Sequence, residues 1–178
     1  MKAFPSLVVA LLFLNLLSAD ATLEETCKQL AAHTGVHFDV NFCITTLQVV
    51  PGSNEADAIG LTSIIANLAN ANITHNLAKV KELLNSKNVS AESKKALDVC
   101  EEVYDLGIED IKETIEALES RNFFTVKSRL SALLFNVFTC RDAWAESKLK
   151  SLMPKEEDDA YKISDLAVSI GASLPDHQ

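Results

Sequence analysis

The chain has 178 residues, of which 48% are hydrophobic and 23% charged, and it contains only five Gly and four Pro. This length predicts a single domain, and so few Gly and Pro residues argue against a β-sandwich, a collagen-like chain or a disordered one. The formal net charge of −9 makes nucleic acid and anionic membranes poor partners, because carboxylates repel phosphates. A basic protein surface is the partner that such a chain favours.

Residues 1–21 have the pattern of a secretory signal peptide that is removed from the mature protein. Lys2 supplies a positive charge, an apolar run of eleven residues follows at 7–17, and Ala19-Asp20-Ala21 fits the cleavage site. A membrane anchor is the alternative, but a membrane-spanning helix needs about 20 apolar residues. We therefore expect a secreted protein with a single domain over residues 22–178.

Beyond residue 54, the spacing of the apolar residues predicts four helices joined by short connections. The predicted helices cover residues 55–86, 90–120, 122–147 and 155–174. In the third helix the apolar residues alternate between steps of three and four, which is typical of a bundle helix. Short connections make neighbouring helices antiparallel. The expected fold is therefore all-α, with an antiparallel up-and-down four-helix bundle over residues 55–174.

The four cysteines predict two disulfides, because the chain is expected in an oxidising compartment. They are Cys27, Cys43, Cys100 and Cys140, and three pairings are possible in principle. In the turn at 120–122, Ser120 is twenty residues from both Cys100 and Cys140, so the two cysteines reach the same height in an antiparallel hairpin. Cys27 and Cys43 are likewise symmetric about a glycine. We predict the pairs Cys27–Cys43 and Cys100–Cys140, with a stapled helical hairpin over 22–50 that extends from the bundle.

The sequence contains no motif of catalysis or of a metal site. A nucleophile elbow, a P-loop and an H-E-x-x-H pattern are all absent. His33 and His37 have the spacing of two metal ligands on a helix, but Gly35 between them interrupts the helix. The acidic run at 156–159 is interpreted as a helix start favoured by the helix dipole rather than as a binding patch. We expect no enzymatic activity, no cofactor and no metal.

Two N-glycosylation sequons occur, Asn72-Ile73-Thr74 and Asn88-Val89-Ser90. In a secreted chain either asparagine is a candidate for modification. Asn88 falls in a predicted loop and is the better candidate, whereas Asn72 falls within a predicted helix.

The order of these features resembles the plant invertase and pectin methylesterase inhibitor family. The family has a signal peptide, an early cysteine pair in a helical hairpin, and a bundle with a cysteine on its second and third helices. The most specific match is Thr139-Cys140-Arg141-Asp142, which resembles the T-C-x-D motif of the pectin methylesterase inhibitors. Tyr104, four residues after the third cysteine, also fits. The resemblance covers the whole mature chain and is greatest to the branch that includes a plane-pollen allergen.

The resemblance implies a protein inhibitor that blocks the substrate cleft of a carbohydrate enzyme in the plant cell wall. In the pectin methylesterase inhibitors, polar residues near the third and fourth cysteines contact the enzyme. Thr139 and Asp142 match that pattern, and Glu102 and Glu109 fall where polar or acidic contacts are expected. Leu106 stands where the family often has an acid. Inhibition of pectin methylesterase by a monomeric protein is the favoured prediction.

The alternatives are an invertase inhibitor and a protein without an inhibitory target. The invertase inhibitors of the family insert a Pro-Lys-Phe loop between the second and third bundle helices. The corresponding turn here is Arg121-Asn122-Phe123-Phe124, in which Phe124 lies off the apolar stripe and is the better contact candidate. The third possibility is a pollen or seed bundle protein known chiefly as an allergen, or one that carries a small apolar ligand.

The hairpin register also predicts an acidic band at one end of the second and third bundle helices. Its members are Asp98, Glu101, Glu102, Asp105, Asp142 and Glu146. Such a band is often no more than solvated surface. Opposite a basic enzyme, it would speed association more than it would tighten the complex.

Overall fold

The computed structural model describes residues 22–34 and 38–176, apart from the side chains of residues 33 and 34. The predicted signal peptide and the two histidines that were not expected to bind a metal, His33 and His37, lie outside the described residues or side chains. The described chain forms six helices and no strand, which confirms the all-α prediction. The helices are α1 Leu23–Thr34, α2 Val40–Leu47, α3 Ala58–Asn85, α4 Ala91–Glu119, α5 Phe123–Glu146 and α6 Pro154–Ala172. No helix in this part of the chain is long and apolar enough to cross a membrane.

Local sequence fixes where the four long helices begin. The side chains of Asp57, Ser90 and Asn122 each accept a hydrogen bond from the backbone N–H three residues further on. These bonds satisfy N–H groups that have no partner inside the helix. Pro154 occupies the first turn of α6, where its missing N–H costs nothing.

Helices α3 to α6 form the predicted up-and-down four-helix bundle. Each packs on its neighbours in chain order, α6 closes the bundle against α3, and the largest interface joins α4 to α5. The core has two parts. One surrounds the disulfide Cys100–Cys140 and includes Tyr104, Leu133 and Trp144. The other lies towards the opposite end and includes Phe123.

The N-terminal hairpin, which the sequence predicted to extend from the bundle, packs its apolar face on the bundle. Cys27 and Cys43 join α1 to α2 with 5.9 Å between their Cα atoms. Leu23, Leu30 and Leu47 are buried in the same apolar cluster as residues of all four bundle helices. A pair of short helices cannot bury its own apolar face, so this face needs the bundle as a second layer.

Candidate functional site

The candidate site lies on the solvent side of α4 and α5, where three connections hold these helices in register. The predicted disulfide Cys100–Cys140 is present, with a Cα–Cα distance of 4.5 Å. Further along, the Asn136 amide donates to the Asp110 carboxylate at 2.9 Å, and the Arg129 guanidinium donates to it at 3.3 Å. These links fix the relative height of the side chains on both helices.

Asp110 is a buried carboxylate between the two helices, and only 7% of its surface is exposed. Burial raises the pKa of Asp110, while the bond from Arg129 opposes that shift. Arg129 also pairs with Glu113 at 2.7 Å. Because a buried charge is costly without partners, this network favours the single register in which all four groups meet.

The structure places the predicted polar contact residues on one surface. Glu102, Glu109 and Asp142 are exposed, and Thr139 is half-buried. Residues three, four or seven positions apart share a helix face, which explains why each helix presents its pair on the same side. The Thr139 hydroxyl donates to the Phe135 carbonyl oxygen at 3.0 Å, so its oxygen remains available as an acceptor.

Two large apolar side chains on the same two helices are also exposed, and they were not predicted as a pair. Leu106 on α4 is 53% exposed and Phe135 on α5 is 70% exposed. We call the whole surface the docking face. It consists of Glu102, Leu106, Glu109, Phe135, Thr139 and Asp142. Both apolar residues lie off the buried stripes of their helices, and that offset was the available sequence signal.

The predicted acidic band is divided in the structure. Glu101 and Asp105 turn towards α3, where the Lys81 ammonium lies 3.9 Å from a carboxylate oxygen of each. The side of α4 that faces α3 is therefore partly neutralised. The other members of the band have no ion pair within the described part of the chain: Asp98, Glu102, Asp142 and Glu146.

The turn that would act against invertase lies at the other end of α5. Arg121 has a positive φ of 55°, and Asn122 caps the helix. Phe123 is buried with 4% exposure, whereas Phe124 is 81% exposed. Eleven residues separate Phe124 from Phe135, which is about 16 Å along a helix. The two candidate surfaces are therefore distinct.

The acidic run at the start of α6 is not a continuous surface patch. Asp158 and Asp159 each pair with a lysine one turn away on the same helix. Glu157 instead points inwards with 6% exposure and accepts a hydrogen bond from the Ser151 hydroxyl at 2.7 Å. Among the described residues, Glu157 with Cys100 and Cys140 is the one cluster of possible metal ligands. Its two sulfur atoms are bonded to each other, so it does not form a metal site.

Burial raises the pKa of Glu157 above its ordinary value of 4.5, so the folded protein binds this proton more tightly than the unfolded chain. This tighter proton binding contributes to the free energy of unfolding. The contribution is fully present below the ordinary pKa of the carboxyl and is lost as the pH rises through its raised pKa.

Glu157→Gln imitates the protonated carboxyl. We expect it to raise Tm at pH 7 and to flatten the dependence of Tm on pH. Thermal unfolding by circular dichroism at several pH values measures both effects, with the exposed Glu102→Gln as the matched control. A Tm that falls with pH as steeply as in the wild type would contradict this role.

The two sequons differ in their surroundings. Asn88 is exposed in the connection between α3 and α4. Asn72 is half-buried within α3, where its side chain accepts from Asn76 at 3.4 Å, and the following Ile73 is fully buried. In protein secreted from plant cells, we expect Asn88→Gln to abolish most N-glycosylation and Asn72→Gln to leave it unchanged. Intact mass before and after enzymatic deglycosylation measures the occupancy. Glycan retained on the Asn88→Gln variant would contradict this prediction.

The chain combines a four-helix bundle, a disulfide-linked N-terminal hairpin and an exposed polar face on two of its helices. The model of the plant invertase/pectin methylesterase inhibitor family matches residues 21–170, and the chain belongs to this family. Its members are inhibitor proteins and not enzymes. The predicted family and the predicted lack of catalytic activity are thereby confirmed.

Some similar proteins are named as invertase inhibitors and others as pectin methylesterase inhibitors. The chain is 31% identical to a protein named "Putative invertase inhibitor" from Platanus orientalis, over 87% of this chain and 90% of that protein. A protein of the same name from Platanus acerifolia is also 31% identical, over 90% of this chain and 88% of that protein. The crystal structure of mutant form A of a pectin methylesterase inhibitor from Arabidopsis superposes with a TM-score of 0.67 at 20% identity, covering 89% of this chain and 95% of that one. Another crystal structure, of a pectin methylesterase inhibitor from Arabidopsis thaliana, superposes with a TM-score of 0.62 at 20% identity, covering 90% of this chain and 99% of that one.

Proposed function

We propose that the protein is a secreted, monomeric inhibitor of a pectin methylesterase of the plant cell wall. It acts by stoichiometric binding, with the docking face laid over the substrate cleft. The observation that carries this proposal is the Thr139-Cys140-Arg141-Asp142 motif on α5, which is linked to Glu102 and Glu109 of α4 through the disulfide. Members of the family are extracellular inhibitors that act by protein–protein contact, and the proposal specifies the target and the surface.

The rigidity of the docking face supports a tight complex. Its side chains stand on two long helices that are joined by a disulfide and by the Asp110 network. Groups that are already held in place lose little freedom on binding, so more of the contact energy appears as affinity. A short loop would need to be ordered first.

The charge of the face favours an enzyme with a basic surface. Glu102 and Asp142 have no ion pair in the described chain, and the net charge is −9. Charges at the rim of an interface mainly raise the association rate, and salt screens them over about 8 Å at physiological ionic strength. A charge that becomes buried against a basic or hydroxyl group contributes instead to slow dissociation.

We expect Asp142→Ala to weaken binding to pectin methylesterase by about 2–5 kcal/mol, mainly through faster dissociation, because its partner on the enzyme would be left buried and unpaired. Thr139→Ala removes an acceptor and is expected to have a smaller effect of the same sign. Inhibition of pectin methylesterase and of cell-wall invertase, together with surface plasmon resonance, measures these changes. Retained helicity by circular dichroism is the control for folding.

Invertase inhibition through Phe124 is the second candidate function. Its 81% exposure at the α4–α5 turn and the names of the Platanus relatives favour it. Phe124→Ala, assayed beside the other two variants, separates the candidates. If Phe124→Ala abolishes invertase inhibition while Thr139→Ala and Asp142→Ala change nothing, the esterase proposal fails. If the wild-type protein inhibits neither enzyme, the remaining alternative is a bundle protein without an inhibitory target.

A further inference from the structure

We propose that Leu106 and Phe135 together form an apolar anchor at the centre of the docking face. The anchor would occupy an apolar depression beside the cleft of the pectin methylesterase, ringed by basic or hydroxyl groups that meet Glu102 and Asp142. The Glu109 carboxylate pairs with the Lys112 ammonium of its own chain at 3.1 Å. This inference rests on the proposed function and adds to it the residues that would supply most of the affinity.

The register of α4 and α5 brings the two side chains to the same height. Leu106 lies six residues beyond Cys100, and Phe135 lies five residues before Cys140. At 1.5 Å per residue these offsets are about 9 Å and 7.5 Å. Because the helices are antiparallel, both offsets run in the same direction from the disulfide. The two residues therefore differ in height by only about 1.5 Å.

Both side chains also lie on the solvent side of these two helices. Leu106 is four residues before Asp110, and residues at this spacing are neighbours on one side of a helix. Asp110 contacts α5 through Asn136, so Leu106 lies on the α5 side of the exposed surface of α4. Phe135 lies one turn before Thr139, on the solvent side of α5, and is 70% exposed. The two apolar groups are therefore at the same height on the solvent side of adjacent helices.

The exposure of Phe135 has no structural explanation within the bundle. It belongs to neither apolar cluster of the core, and it has no ring contact with another described aromatic residue. Phe138, three residues on, differs in this respect. Its ring lies 5.2 Å from the Tyr161 ring and under the Arg141 guanidinium. Phe138 therefore has partners in its own chain, whereas Phe135 presents most of its ring to solvent.

An apolar centre with a polar rim is the arrangement in which a few residues dominate binding. Such central residues are fully desolvated in the complex, and the surrounding polar groups exclude water. Phe135 loses little side-chain freedom on binding because it has only two rotatable bonds. Around the pair, the rim consists of Glu102 and Glu109 on α4 and of Thr139 and Asp142 on α5.

The chemistry of the rim argues against a second copy of this chain as the occupant. A twofold dimer places the same patch on itself, so the acids of one rim would face the acids of the other and repel. A stable interface typically buries roughly 1,200–2,000 Å². The area of the two apolar side chains is a small part of that. A different protein with a complementary positive rim satisfies both requirements.

The test compares Leu106→Ala, Phe135→Ala and the double variant with two exposed apolar controls outside the docking face, Val49→Ala and Leu152→Ala. Against pectin methylesterase we expect the Kd to rise about 30-fold for Phe135→Ala, about 10-fold for Leu106→Ala and more than 100-fold for the pair. The loss should lie in the dissociation rate and persist at high salt, since no charge is removed. Both controls should stay within about twofold of the wild type.

Three outcomes would overturn the proposal, and they are distinguishable. If the wild type inhibits pectin methylesterase and the double variant binds within threefold of it, the anchor is wrong and the proposed function stands. If the wild type neither binds nor inhibits the enzyme, both fail. If sedimentation shows a wild-type dimer that Leu106→Ala and Phe135→Ala dissociate, the occupant is a second copy. Unchanged Tm values are expected for all variants, because the replaced side chains are exposed.

Discussion

Replacing Cys100 and Cys140 together with alanine is expected to lower the free energy of unfolding by about 4 kcal/mol. The disulfide closes a loop with a sequence separation of 40 residues, and its removal restores conformational freedom to the unfolded chain. For a chain of this size, a loss of about 4 kcal/mol lowers Tm by roughly 8–16 °C. Urea unfolding followed by circular dichroism measures the change. We also expect inhibition to weaken, because the bridge holds Thr139 and Asp142 level with α4.

The second disulfide provides the control. Cys27 and Cys43 close a loop with a sequence separation of only 16 residues, for which the expected loss is about 3 kcal/mol. This bridge lies in the N-terminal hairpin, away from the docking face, so its removal should leave inhibition unchanged at temperatures where the protein is folded. Equal losses of inhibition in the two double variants would show that the α4–α5 register is not what the disulfide contributes.

The four-helix bundle was predictable because its determinants are local. The caps at Asp57, Ser90 and Asn122 and the proline at the start of α6 set the helix starts, and the spacing of apolar residues sets the buried faces. The pairing of Cys100 with Cys140 followed from a symmetric position about a short turn. Each of these features depends on the sequence within one helix or one hairpin.

Features that depend on the rotation of one helix against a non-neighbouring segment were not predictable in this way. The hairpin was expected to extend from the bundle, but its apolar face is buried against residues far along the chain, such as Leu61 and Ile170. Glu101 was assigned to a continuous acidic band, but it faces Lys81 of α3. The inward position of Glu157 likewise depends on how α6 packs beneath the disulfide.

The docking face contains some residues that were predictable from the sequence and others that were not. Its polar residues were found from a motif, and helical spacing places them on one side. In the sequence, Leu106 stands out only as a departure from the family pattern and Phe135 matches no motif, although both lie off the apolar stripes. Identifying them as a pair requires both the antiparallel register and the exposed fraction of each side chain. The exposed fractions, 53% for Leu106 and 70% for Phe135, come only from the structure.

Substitutions at the contact between Leu130 and Gly171 are expected to change the free energy of unfolding strongly. Leu130 is fully buried on α5, and a Cβ atom added to Gly171 of α6 would lie 2.6 Å from its Cδ1 atom. Leu130→Ala is expected to lower the free energy of unfolding by about 3–5 kcal/mol, because it removes apolar contacts and leaves a cavity. Gly171→Ala is expected to lower it by about 1–3 kcal/mol through overpacking. Urea unfolding of each variant measures both values.

The double variant decides whether these two effects share one contact. With Leu130 truncated, the added methyl group enters the cavity and meets no Cδ1 atom, while alanine is a better helix former than glycine by about 1 kcal/mol. We therefore expect Gly171→Ala to destabilise the wild type but to stabilise the Leu130→Ala protein, with a coupling energy above about 1 kcal/mol. Gly107→Ala is the matched control, since its added Cβ would approach Leu133 and not Leu130. If Gly171→Ala costs the same in both backgrounds, the close approach of α5 and α6 at this point does not limit the side chain at 171.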